Sequence, residues 1–178
     1  ARTVVAPDEA VLVGLPDTVW FPEGAITDLP DELLSFLLFP VEKPELFDAV
    51  VLDGERVCEI QVKQKDAASN WIWGAFKMPG EVFGALHSLW CERGRSDEFF
   101  GTLVNAYLVA GGEAAGIKAG HAYVDVGTLN GYRAAVGLLA EMATRGLGRA
   151  HGMRRPRPVT LSPAEGRVEP IQAKAPVA

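Results

Sequence analysis

The sequence predicts an α/β fold, an open sheet with flanking helices, and three observations carry that prediction. Two short, continuous apolar runs, Glu9–Leu15 and Leu33–Phe39, have the pattern of strands covered on both faces. Two further stretches, Val82–Trp90 and Phe99–Leu108, repeat apolar residues at helical spacing. The third observation is Ala122–Ala135 (AYVDVGTLNGYRAA), where an apolar run ends on Asp125 and Gly127-Thr128 turns the chain into an amphipathic segment. A carboxylate at a strand end, followed by a glycine turn and a helix start, is where open α/β sheets place ligand chemistry. Asp125 or Thr128 could equally serve only as a helix cap, since both types satisfy orphan N–H groups there. On spacing alone that plainer role has the better claim.

Composition sets the bounds. A chain of 178 residues, 48% of them hydrophobic, can build one domain with a proper core. The net charge of −6 lacks the basic footprint of a general nucleic-acid binder, yet it leaves room for a phosphorylated small molecule. Cys58 and Cys91 stand far apart without CxxC spacing. They read as free thiols in a reducing cytoplasm, with a single disulfide as the alternative. The scattered histidines offer no zinc constellation. No apolar run reaches the roughly 18 residues of a membrane span, and no basic leader precedes one, so a soluble cytoplasmic protein without a membrane partner is expected.

Taken in order, the strand at Glu9–Leu15 stops at Pro16-Asp17, since proline supplies no ladder donor. Asp17 then lies just past a strand end, where a turn aspartate is the plainer reading. Residues 21–31 read as a loop, and Leu33–Phe39 as a second buried strand. Ala49–Leu52 and Arg56–Val62 flank Asp53-Gly54, a hairpin signal because the turn requires positive φ. In the second arm Val57, Glu59 and Gln61 alternate with Cys58, Ile60 and Val62, a half-buried pattern leading to Lys63 and Lys65. Either lysine could be a solvated strand end or a point charge for a phosphate.

Trp71–Phe76 is an aromatic strand, with Gly74 marking a bulge or a close backbone approach. Pro79 suits the first position of a helix reaching about Glu92. Ser96 is a predicted N-cap for the next helix, with Asp97 and Glu98 in its first turn and Gly111-Gly112 at its end. Ala114–Lys118 and Gly120–Val124 are two short strands. Leu129–Thr144 is the last helix, with Tyr132, Val136, Leu139 and Ala140 as its expected inner stripe. From Arg145 onward Arg, Pro, Gly and Ala dominate. The domain is therefore expected over residues 1–144, and residues 145–178 as a flexible tail.

Together these stretches resemble the sugar-1-phosphate nucleotidyltransferases (nucleoside-diphosphate-sugar pyrophosphorylases). The matching segments fall in order: VLVGLPDTVWFP, LLFPVEKPELFDAVVLDGERVCEIQVK, WIWGAF, DEFFGTLVNAYLVAGG and AYVDVGTLNGYRAA. No single motif decides the match; order and spacing carry it from about Ala10 to Ala140. The resemblance implies a partial doubly wound, Rossmann-like sheet with flanking helices. It implies Mg²⁺ held between Asp17 and Asp125, and Lys63 on the sugar phosphate. It further implies Gly74 lining the sugar site, with Asp97 or Glu98 near sugar hydroxyls and Asp48 in the sugar pocket. The partners it implies are a sugar-1-phosphate and a nucleoside triphosphate, dTTP or UTP.

The sequence also departs from that family. Val62 stands where an acidic residue usually precedes the lysine, Gln64 replaces a proline, and Asp48 replaces a glycine. The glycine-rich GxGxR-type signature that binds the triphosphate is absent before Asp17. The expectation is accordingly the sugar- and metal-binding part of such an enzyme, either lacking an N-terminal half or forming a homo-oligomer. The alternative is a non-catalytic relative that binds a sugar phosphate or nucleotide sugar as a regulatory or assembly subunit.

Overall fold

The structure, a computed structural model, describes residues 5–144. The basic segment from Arg145 onward lies outside the described residues. The elements are β1 (Ala10–Gly14), β2 (Thr18–Phe21), β3 (Leu34–Pro40), β4 (Asp48–Asp53), β5 (Arg56–Val62), β6 (Trp71–Pro79), α1 (Gly80–Glu92), α2 (Phe100–Val109), β7 (Ala114–Ile117), β8 (Ala122–Asp125) and α3 (Leu129–Thr144). Six strands form one mixed sheet in the order β1-β6-β3-β7-β5-β4, with β3 and β7 parallel and their other neighbours antiparallel. β4 meets β6 again at Ala49↔Ile72, so the sheet curls back on itself. β2 and β8 pair separately as an antiparallel ribbon. No helix among the described residues is long and apolar enough to cross a membrane.

β3 is apolar apart from the fully buried Ser35, because it serves two cores. Leu34, Phe36 and Leu38 pack with Val82 and Leu86 of α1 and with Leu103 and Val104 of α2. Leu37 and Phe39 join Ala25, Leu29, Ile72 and Ala75 in the other cluster. Burial on both faces requires this run, since neither side of the strand meets water. The loop after β2 is pinned to the second cluster by Lys77. Its ammonium donates to the carbonyls of Thr27 (3.2 Å) and Leu29 (3.0 Å) and pairs with Asp31.

β1 corrects the expectation of a strand covered on both faces. It alternates in exposure, and Leu12 is 44% exposed, because β1 lies at the sheet edge and pairs only with β6. Gly80 N–H donates to Glu9 C=O at 2.8 Å, in the register that sets Ala10 opposite Pro79. Antiparallel alternation then gives Val11 and Val13 to β6 and turns the N–H and C=O groups of Ala10, Leu12 and Gly14 to the open edge.

β5 departs from simple alternation. The register steps from Val51↔Glu59 to Leu52↔Val57, leaving Cys58 as a bulge. Val57 and Ile60 are therefore both buried, whereas Cys58 and Glu59 are exposed. Asn105 of α2 clamps this strand. Its Oδ1 accepts Ile60 N–H and its Nδ2 donates to Ile60 C=O, both at 2.7 Å.

Three helix expectations are also revised. Pro79 sits at the N-cap of α1, one residue before the helix. Ser96 does not cap α2: its hydroxyl donates back to Arg93 C=O at 2.8 Å, and the helix starts at Phe100 after Phe99. α3 has the predicted bounds but not the predicted inner face. Tyr132, Val136 and Leu139 are 60%, 51% and 47% exposed, Ala140 is exposed too, and Ala135 is buried. Close approach to β8 explains the rotation, because a Cβ at Gly131 would run into the Asp125 carbonyl oxygen.

Candidate carboxylate site at the β2–β8 ribbon

The ribbon brings two distant aspartates together. Thr18 faces Asp125 in register, and Val126 N–H donates to Asp17 C=O at 2.8 Å, so the two acids leave adjacent strand ends. Gly127 lies between them. Its N–H donates to Asp125 Oδ1 at 2.7 Å, and a Cβ there would stand 3.0 Å from Asp125 Oδ1 and 3.5 Å from Asp17 Oδ2. Both carboxylates are exposed and border one small space that glycine leaves open. The capping role falls to Thr128, whose hydroxyl oxygen accepts Gly131 N–H at 3.0 Å. The Asp125 carboxylate turns instead to Gly127.

Tyr123 extends this group inward. Residues two apart on a strand share a face, which puts its ring on the side of Asp125. The ring lies 5.3 Å from Phe39 and 5.8 Å from Phe47, centroid to centroid. Burial first, then the charges of Asp125, Asp17 and, more weakly, Asp48, push the phenol up to about 12, with the Thr18 side chain partly offsetting them. Nothing in the composition of the apolar run before Asp125 had marked this residue. Its place two positions upstream was the available signal.

Asp48 opens β4, half-buried, opposite Val62. Burial raises its carboxyl above the ordinary value, and the nearby Lys63 charge and Trp73 indole pull the other way. Trp73 Nε1 is buried and closes no full hydrogen bond, so its approach to Asp48 is a loose one. Lys63 follows β5 in the left-handed region, at φ +46°. Its N–H donates to Phe47 C=O at 3.0 Å, and its Nζ sits 5.1 Å from the centre of the Phe99 ring. Among the described residues Lys63 forms no salt bridge, although its charge acts on the Asp48 carboxyl.

The other expected residues are arranged differently. Gly74 is the bulged residue of β6, because the β3 register steps from Leu37↔Ala75 to Leu38↔Trp73. The space a side chain there would take is filled: a Cβ would stand 2.5 Å from Tyr123 Cε2 and 2.8 Å from Phe39 Cε2. Asp97 is gripped by Arg93, whose Nε and Nη2 donate to its two oxygens at 2.8–3.2 Å, and by the Thr102 hydroxyl. These bonds, led by Arg93, hold the Asp97 carboxyl below its ordinary value. Asp97 lines an apolar groove of about 440 Å³ with Phe99, Phe100 and Trp90, and none of Asp17, Asp48, Tyr123 or Asp125 borders that groove. Glu98 is exposed beside it.

Asp17 and Asp125 suit a hard divalent ion. They offer carboxylate oxygens, one of which is already held by a backbone N–H, and Mg²⁺ commonly binds one or two carboxylates while keeping water or phosphate oxygens. Among the described residues no cluster of three or more His, Cys, Asp or Glu side chains is placed to hold a metal. Any ion here would take its remaining ligands from solvent or substrate.

The mixed sheet with flanking helices is a nucleotidyltransferase-like α/β fold. Among solved structures, the chain is similar to a Bacillus anthracis protein assigned as a glucose-1-phosphate thymidylyltransferase and crystallised in complex with sucrose. The TM-score is 0.58 at 21% identity, over 86% of this chain and 60% of that one. The chain thus spans about three fifths of the neighbour's length, and the likeness is one of fold. No protein-family model and no curated protein matches the sequence.

Proposed function

We propose that this chain forms the sugar-phosphate and metal side of a sugar-1-phosphate nucleotidyltransferase. The observation that carries the reading is the convergence of the Asp17 and Asp125 carboxylates beside Gly127. In the reaction, an oxygen of the sugar phosphate bonds to the α-phosphorus of a nucleoside triphosphate. The bond from that phosphorus to the bridging oxygen breaks, and its electron pair leaves with pyrophosphate. Such a displacement asks the protein for positioning and charge neutralisation more than for covalent chemistry. Bound by Asp17 and Asp125, Mg²⁺ would supply neutralising charge to phosphate oxygens. Lys63, which forms no salt bridge among the described residues and sits in an uncommon backbone conformation, orients the attacking phosphate as a point charge. Asp48 lies near enough for the Lys63 charge to act on its carboxyl.

A second reading is binding without transfer, as a regulatory or assembly subunit. It is favoured by the departures around Lys63, where Val62 and Gln64 stand in place of the acidic residue and the proline usual in the family the sequence resembles. Titration calorimetry with Mn²⁺ or Mg²⁺, followed by a pyrophosphate-release assay with glucose 1-phosphate and dTTP or UTP, tests both. Asp125→Asn should remove metal binding and any metal-dependent turnover while the circular dichroism spectrum is kept. Unchanged metal affinity in that variant would sink the assignment. Lys63→Ala should weaken sugar-phosphate binding about tenfold, roughly 1.4 kcal/mol. Metal and sugar-phosphate binding with no pyrophosphate release by the full-length protein would select the second reading.

A further inference from the structure

The candidate site is assembled across two sheets. Asp17 and Asp125 belong to the β2–β8 ribbon, whereas Asp48 opens β4 and Lys63 follows β5 of the six-stranded sheet. No strand pairing joins the two sheets, and a ribbon of two four-residue strands is marginal by itself. Its placement against the larger sheet therefore depends on other contacts. The β8 arm is tied where Gly120 N–H donates to Leu38 C=O at 3.0 Å and where the Tyr123 ring meets Phe39 and Phe47. On the β2 arm, among the described residues, the only hydrogen bonds joining residues 18–31 to the six-stranded sheet are those of Lys77. Lys77 is buried in β6, and its ammonium engages the Thr27 and Leu29 carbonyls and the Asp31 carboxylate. A buried cation is costly unless its donors are met, so a fully engaged one is a firm tie. The segment it holds follows β2 directly. Ala25 and Leu29 of that segment are buried in the cluster against which Trp20 and Tyr123 pack.

We propose that Lys77 is a positioning residue for this site, a polar tie that fixes the ribbon carrying Asp17 and Asp125 relative to the sheet carrying Lys63 and Asp48. A phosphate shared between a metal on the ribbon and the Lys63 ammonium needs the two sheets at one spacing. The carboxylates themselves are brought together within the ribbon, by Val126 N–H on Asp17 C=O and Gly127 N–H on Asp125, so the metal pair does not depend on Lys77. Loss of the tie spares metal binding and removes the help that metal and Lys63 give each other. The inference rests on the metal and sugar-phosphate reading above and deepens it.

Calorimetry with Mn²⁺ and glucose 1-phosphate, each titrated in the absence and presence of the other, reads that coupling. In the native chain Mn²⁺ should tighten glucose 1-phosphate binding about tenfold. Lys77→Met should bind Mn²⁺ as the native chain does and show no such gain. Asp31→Asn, which alters the exposed partner and leaves both carbonyls engaged, should keep the native coupling. Lys77→Ala should lose the coupling, and n-propylammonium, the part of the side chain that alanine lacks, should restore it where 1-propanol does not. Native coupling in Lys77→Met would overturn the proposal and leave the metal reading standing. Loss of Mn²⁺ affinity together with the coupling would also overturn it, because Lys77 would then serve the fold alone. Absence of coupling in a native chain that binds Mn²⁺ has the same consequence, and a native chain that binds no Mn²⁺ removes the metal reading and the proposal together. Should Lys77→Met fail to fold, Lys77→Ala folded in n-propylammonium and moved to 1-propanol is held to the same outcomes.

Discussion

At the scale of single residues, the site is a matter of what surrounds Tyr123. Its phenol lies among acidic groups and out of full contact with water, and both conditions disfavour the phenolate. Because the neutral form is preferred in the folded state, its contribution to stability is whole below the unfolded value of about 10 and is lost as pH rises from there through about 12. Ring NMR should find a tyrosine still protonated near pH 11 that is absent from Tyr123→Phe. Asp125→Asn should lower its pKa only in part, because burial is the larger cause. A full return to 10 in that variant would show that charge dominates. Asp48 has the same sign: its carboxyl is raised by burial, so its contribution is whole below the unfolded carboxylate value and is lost as pH rises through the folded one. Asp97 has the opposite sign, and its pairing with Arg93 is lost only as pH falls below the ordinary carboxylate range. Packing makes a further demand at Gly74. Gly74→Val should cost about 1–3 kcal/mol by overpacking against Tyr123 and Phe39, read as a lowered urea midpoint. A midpoint at or above the native one would show that the rings move aside without cost.

At the scale of elements, apolar patterning made most strands and all three helices legible, and the failures have local causes. β3 could be bounded from its short apolar run, and α3 from the Gly127-Thr128 turn before it and the change of composition after it. β2 went unread because Thr18–Phe21 is short and sits in a stretch rich in Pro, Gly and Asp, and its existence depends on a partner about a hundred residues away. The bulge at Cys58 broke the predicted alternation of β5, since one inserted residue shifts every later side chain to the other face. Asp17 and Asp125 could be singled out one at a time as strand-end acids, but their meeting depended on that unread ribbon. Glu98 and Asp97 were placed in a helix that starts later, because the Arg93–Asp97 pair draws the segment into a turn. The edge position of β1 yields a direct test. The amides of Leu12 and Gly14, which face the open edge, should exchange with solvent much faster than those of Val11 and Val13, which bond to β6. Equal protection along the strand would mean that another strand covers the edge.

At the scale of the molecule, one strand decides whether the two cores stand or fall together. β3 sends Leu34, Phe36 and Leu38 to the face covered by α1 and α2, and Leu37 and Phe39 to the face that carries Tyr123. Neither cluster can lose its packing without disturbing the backbone that serves the other, so residues 5–141 should unfold in one cooperative step. Phe36 is the residue on which to test this. It is fully buried, its ring lies within 6.4 Å, centroid to centroid, of Trp73, Phe76 and Phe100, and it touches nothing at the carboxylate site. Phe36→Ala should cost about 3–5 kcal/mol, a large share of the roughly 5–15 kcal/mol that holds a typical domain folded. The tryptophans report on the two faces separately, Trp20 beside the Tyr123 cluster and Trp90 beside the helix-covered one. In chains retaining only Trp20 or only Trp90, denaturation should give one common midpoint, and Phe36→Ala should lower both by the same amount. If the Trp90 transition moved and the Trp20 transition stayed, the carboxylate site would rest on a unit that folds without the helical face. Gly74, Tyr123 and Phe39 would then have to hold the site together unaided.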